Sequence, residues 1–189
     1  MKALGVIDME VDFCEGGRLP IRGGKRVARD IFAYLNQHAS EYALVFATKD
    51  WHIDPGSHWS DEPDFVDSWP VHCEAGTSST LFQSPLTFSD FQLIFYKGLH
   101  AAAYSGFEGT TEPGGHGYKL HEVLTRYKID ELDLCGLAFD YCVGDTGISG
   151  VGLGYRTNIL ANLTAAVHHD RKSVRETILR LQKAGVNIK

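Results

Sequence analysis

The feature that most constrains this chain is a recurring pattern. Short apolar runs of strand length alternate with amphipathic stretches of helix length. "ALGVID" at 3–8, "YALVFAT" at 42–48, "QLIFYK" at 92–97, "ELDLCGLA" at 131–138 and "RTNILAN" at 156–162 read as buried strands. Between them, residues 25–39 carry Val27, Ile31, Phe32 and Leu35 at helical spacing. Residues 118–127 do the same with Leu120, Val123, Leu124 and Tyr127, and residues 142–154 are a further helix candidate. "DRKSVRETILRLQKAG" closes the pattern as a helix capped by Asp170 and stopped by Gly185, and "VNIK" is a candidate last strand. Strands alternating with helices predict an α/β fold, a mainly parallel sheet of about six strands between two helical layers. The 189 residues are expected to form a single domain, residues 1–189.

In such sheets the site lies beyond the carboxyl ends of the strands. Asp8, the 49–58 segment, Lys97 and the 138–142 segment all follow such ends. Bulk chemistry narrows the partners. Net charge is −6 with no basic stripe, which argues against nucleic acid and anionic membrane. No apolar run has the length of a membrane span or a signal peptide, so a cytoplasmic location with reduced thiols is expected for Cys14, Cys73, Cys135 and Cys142. "GISGVGLG" and "GGHGYK" lack the phase and spacing of phosphate-binding loops.

"TKDWHIDPGSHWS", residues 48–60, concentrates an acid, two histidines and two tryptophans around a Pro-Gly turn. Asp50 and His52 are two apart and share a side in extended backbone. His58 follows the turn, and His72 lies in "SWPVHCE". Three imidazoles and a carboxylate suit zinc, iron or manganese better than calcium or magnesium. The set can close a tetrahedral site or form part of a six-coordinate one with waters. The plain alternative is a polar surface loop in a chain with nine histidines.

Cys142 follows a strand and opens a helix candidate, a position where backbone N–H groups and the helix dipole lower a thiol's pKa. A buried structural cysteine is the alternative. With Asp8 and Lys97 at two other strand ends, Cys142 makes a candidate triad.

"VIDMEVDFCEGG", "ATKDWHIDPGSHWS", "SWPVHCEAGT", "FYKG", "AYSGFEG" and "GLAFDYCV" together resemble nicotinamidases (pyrazinamidases) of the isochorismatase-like hydrolase family, over residues 3 to 188. The resemblance implies the three-layer fold of that family and a metal-dependent cysteine amidase converting nicotinamide to nicotinate and ammonia in NAD salvage, with pyrazinamide as a second substrate. By position it implies Asp8, Lys97 and Cys142 as catalytic residues and Asp50, His52, His58 and His72 as ligands to one divalent metal, zinc first, iron or manganese as alternatives. It implies Phe13 and Trp69 against the pyridine ring, with Tyr104 near the mouth. The Leu137–Ala138 bond matches a cis peptide, aiming the Ala138 N–H, with that of Cys142, into an oxyanion hole. The expected partner is a small aromatic carboxamide, with homo-oligomerisation left open. An amidase of the same fold acting on another carboxamide, a metal-water hydrolase with a structural Cys142, and a non-catalytic metal-binding homologue are the rivals. The chain departs from the family in the five glycines of 142–154, in Phe139, which would narrow the pocket or fill the core, and in Asn162.

Overall fold

The computed structural model describes residues 1–189. In chain order the elements are β1 (Lys2–Ile7), α1 (Gly24–His38), β2 (Leu44–Asp50), β3 (Leu93–Lys97), α2 (Leu120–Arg126), β4 (Glu131–Leu137), α3 (Cys142–Gly152), β5 (Arg156–Ala165), α4 (Arg171–Lys183) and β6 (Asn187–Ile188). The strands form one sheet in the order β3-β2-β1-β4-β5-β6, and every pairing is parallel. No helix is long and apolar enough to cross a membrane.

Alternation along the strands builds two cores. Leu4 and Val6 of β1, with Val45 and Ala47 of β2, pack under Val27, Ile31 and Leu35 of α1. Ala3, Ile7, Leu44 and Phe46 face the other way, onto Leu120 and Leu124 of α2, Val143 of α3 and Leu181 of α4. The result is helix, sheet, helix, as the sequence predicts.

Two strands run past the carboxyl ends read from the sequence. β2 runs on through Lys49 and Asp50, where the loop was expected to begin. The extension pairs Asp50 with Lys97 in register, and it buries Lys49 with its Nζ 4.7 Å from the Phe82 and Phe88 ring centroids. β5 extends three residues past the predicted end, to Ala165.

α3 is a helix despite its glycines, and two of them sit where close packing leaves no room for a side chain. A Cβ on Gly144 would lie 2.8 Å from the Phe139 carbonyl oxygen, and one on Gly150 would lie 2.8 Å from Thr157 Oγ1. Packing therefore outweighs the helix propensity lost at each glycine, about 1 kcal/mol relative to alanine.

Asp133, in the middle of β4, is a buried acid that the pattern of apolar residues does not reveal. Its carboxylate accepts from Tyr42 Oη at 2.9 Å and Asn158 Nδ2 at 2.7 Å, and Lys2 Nζ lies 3.1 Å away. Burial pushes its pKa up, but these partners outweigh burial and hold it below the ordinary value. A depressed folded-state pKa gives stability that is present above the unfolded-state value and lost as pH falls through the folded-state value. Asp133→Asn should therefore cost about 1–3 kcal/mol near neutral pH. The gap to wild type should close as pH falls below about 3.9. Thermal melts of both proteins across that range check this, and a gap independent of pH would contradict it.

Candidate active site

The parallel arrangement brings the carboxyl ends of β3, β2, β1 and β4 side by side. Each delivers one group to a common point. Lys97 ends β3 and Asp50 ends β2; Asp8 follows β1 with a left-handed φ of 47°; Cys142 is the first residue of α3. All four are buried.

Lys97 is the hub. Its Nζ lies 2.9 Å from Asp8 Oδ2, 2.9 Å from the Ala103 carbonyl oxygen and 3.7 Å from Cys142 Sγ, and it forms a short ion pair with Asp50 Oδ1. Asp8 Oδ1 accepts from Thr48 Oγ1 at 2.6 Å. Asp8 Oδ2 makes the ion pair without an aligned hydrogen bond, which leaves it able to accept a proton.

The electrostatics sort these groups. Burial pushes Lys97 down, but the Asp50 and Asp8 carboxylates more than offset it and hold the ammonium charged. Burial pushes Asp50 up, yet the Lys97 ammonium holds it well below the carboxylate range. Asp8 moves the other way: burial raises it, with the Asp50 charge adding, against the pull of Lys97. The Cys142 thiol does not follow the sequence expectation of a lowered pKa. Burial pushes it well above the ordinary value, and the Lys97 ammonium only partly opposes this. So placed, the thiol rests in its neutral form.

The histidines converge on the same cleft. His52, His58 and His72 are buried and offer ring nitrogens within 4.8 Å of one another. Each Nδ1 faces a backbone carbonyl, His52 that of Gly98 at 2.5 Å, His58 that of Asp67 at 3.4 Å and His72 that of Pro70 at 2.7 Å. A carbonyl only accepts, so each Nδ1 carries a proton, and in the neutral ring the lone pair is left on Nε2. His52 Nε2 is buried with no hydrogen-bond partner. Burial pushes His72 down to about 4 and lowers His58 as well, keeping both neutral. Neutral, oriented, convergent imidazoles fit a divalent transition metal. Asp50 stands at the edge of this trio, its Oδ2 3.6 Å from His52 Nε2, while its other oxygen serves Lys97.

An open cleft of about 550 Å³, counting the solvent at its mouth, joins the two clusters; its walls include Phe13, Trp69, Tyr104, Tyr141, Ala138 and Cys142. Trp69 Nε1 donates to Tyr104 Oη at 3.2 Å. Tyr141, which the sequence reading did not single out, packs edge-on against Trp69 at 5.4 Å. The Leu137–Ala138 peptide is cis. The Ala138 and Cys142 N–H groups have no backbone acceptor. Phe139 lies outside this cleft and packs in the core beneath α3 and α4, so it fills the core and leaves the pocket width alone.

The isochorismatase domain family matches residues 2–188. The chain belongs to that family. Among isochorismatase-domain proteins it is 45% identical to the nicotinamidase/pyrazinamidase of Mycobacterium tuberculosis over 90% of this chain and 89% of that one. The Pyrococcus horikoshii pyrazinamidase, solved in complex with zinc, superposes with a TM-score of 0.81 at 27% identity, covering 100% of this chain and 98% of that one. The L. infantum PnC1 structure, in complex with nicotinate, gives 0.84 at 27% identity, covering 100% and 92%.

Proposed function

We propose that this isochorismatase-domain protein is a metal-dependent cysteine amidase that hydrolyses nicotinamide to nicotinate and ammonia, with pyrazinamide as a second substrate, in cytoplasmic NAD salvage. The observation that carries the reading is the single cleft in which Cys142 Sγ, 3.7 Å from Lys97 Nζ, faces the same space as His58 and His72. The names and ligands of the relatives support it. A nucleophile, a base and a ring-binding wall beside a metal trio are what a planar heteroaromatic amide requires.

The residues divide the work as follows. Phe13, Trp69 and Tyr104 sandwich the ring and exclude water. His52, His58 and His72, with Asp50 beside them, would hold the zinc ion, which would supply Lewis-acid chemistry next to the bound ring. Asp8 Oδ2 takes the Cys142 proton, and the sulfur bonds to the carboxamide carbon. Lys97 stays charged and stabilises both carboxylate and thiolate. The Ala138 and Cys142 N–H groups receive the developing oxyanion. The C–N bond breaks as Asp8 returns the proton to the leaving ammonia. Water, losing a proton to Asp8, then cleaves the thioester; nicotinate leaves and the thiol is restored.

Ammonia release from nicotinamide by the purified chain tests the reading. Release should fall on chelation and return on adding zinc. No release from a folded, zinc-loaded sample would move the reading to another carboxamide. Release that survives chelation would remove the metal from it.

A further inference from the structure

Acids alternate along the segment that leaves β1: Asp8, Glu10 and Asp12. All are buried, Glu10 completely and Asp12 at 3% exposure. Asp8 belongs to the Lys97 cluster. The other two take no part in the chemistry above, and a buried carboxyl is unfavourable unless it is hydrogen-bonded. Each spends its hydrogen bonding on the backbone beside a metal-facing residue. Glu10 Oε2 accepts the Asp50 N–H at 2.8 Å, while Glu10 Oε1 is buried without a partner. Asp12 Oδ2 accepts the N–H of Cys73 at 2.7 Å, the residue that follows His72, and its Oδ1 accepts from the Arg18 N–H at 3.3 Å.

Cys73 is a junction. Its φ of 46° is left-handed, a conformation that non-glycine residues adopt rarely. Its carbonyl accepts the His52 N–H at 3.0 Å, and the His52 carbonyl in turn accepts the Ala75 N–H at 2.8 Å. Asp12 therefore holds the residue through which the His52 and His72 segments are joined.

We infer that Glu10 and Asp12 are positioning residues for the metal: Glu10 fixes Asp50 and Asp12 fixes the His52–His72 pair, so the donor set is built before an ion enters. The inference rests on the metal reading given above. Such outer partners commonly account for about 10–100-fold in metal affinity, because donors already in place lose less freedom on binding.

The test uses the full chain, stripped of metal and titrated with zinc against a chromophoric chelator, with melting temperatures taken for the stripped and zinc-loaded forms. Glu10→Ala and Asp12→Ala should each weaken zinc binding about 10–100-fold and narrow the difference between the two melting temperatures. Glu10→Gln and Asp12→Asn keep an acceptor oxygen and should restore most of the affinity. Where an alanine variant does not fold, Glu10→Met and Asp12→Leu put the same question with more bulk retained. Equal losses of melting temperature in both forms, with zinc affinity unchanged, would make the acids purely structural and overturn the inference. Glu10→Gln behaving like Glu10→Ala would overturn the acceptor role and assign Glu10 to charge balance with Lys49. A wild-type chain with no zinc-dependent rise in melting temperature would fail the metal reading itself, and this one with it.

Discussion

Cys142→Ala is expected to lower ammonia release from nicotinamide by about six orders of magnitude, the scale seen when a covalent nucleophile is deleted. Zinc content should not change, because the histidine trio lies across the cleft and shares no hydrogen bond with the sulfur. Stability should change by no more than about 1 kcal/mol, since only one small atom is lost from a position still 8% exposed. The rate, the bound zinc and the melting temperature together make the result unambiguous. Turnover that stays within tenfold of wild type would mean that the sulfur is structural and that a metal-bound nucleophile does the chemistry.

Lys97→Met has the other large effect, and it falls on two observables at once. Lys97 sits between Asp8 and Asp50, and all three are almost fully buried. Removing the ammonium leaves two carboxylates facing each other without a cation. Breaking a buried ion pair from one side costs about 3–5 kcal/mol. Activity should fall by about 10²–10⁴-fold, the usual contribution of acid–base catalysis, because Asp8, no longer held down by Lys97, stays protonated and cannot accept the thiol proton. Urea unfolding and steady-state rates read the two effects separately. Adding Asp8→Asn to Lys97→Met should recover part of the stability and none of the activity. If the double variant is no more stable than the single one, the account of Lys97 as a buried counter-charge is wrong.

Much of this site can be read from the sequence, because the fold class fixes where strand ends meet. A short apolar run that closes on a polar residue marks both a strand and its carboxyl end, so Asp8, Lys97 and Cys142 could be placed at one pole of the sheet from the chain alone. The histidine spacing around Pro55–Gly56 could be read for the same kind of reason, since a tight turn returns the chain to its start. The missing parts depend on register and burial. The pairing of Asp50 with Lys97 is a property of the β2–β3 register, which an apolar run does not specify. The upward shift of the Cys142 thiol comes from burial that the helix-terminus argument does not include. Glu10 and Asp12 look like ordinary loop acids. The available signal was their phase with Asp8, two residues apart each time, between Met9, Val11 and Phe13. Tyr141 carried a weaker one, as the residue immediately before the nucleophile. The glycines of α3 lower the local helix signal, and the tight seats against Phe139 and Thr157 explain why Gly144 and Gly150 are kept.

The strand order has a further consequence for how activity arises during folding. Asp8 and Cys142 meet only because β1 and β4 are neighbours, although they lie 134 positions apart in the chain; Lys97 reaches them only through β2, the strand between β3 and β1. No single hairpin, half or local segment contains a working subset. Contacts this distant in sequence form late and slowly. With Asp8, Lys97 and Cys142 as the proposed working set, activity reports the joining of the four strands from β3 to β4.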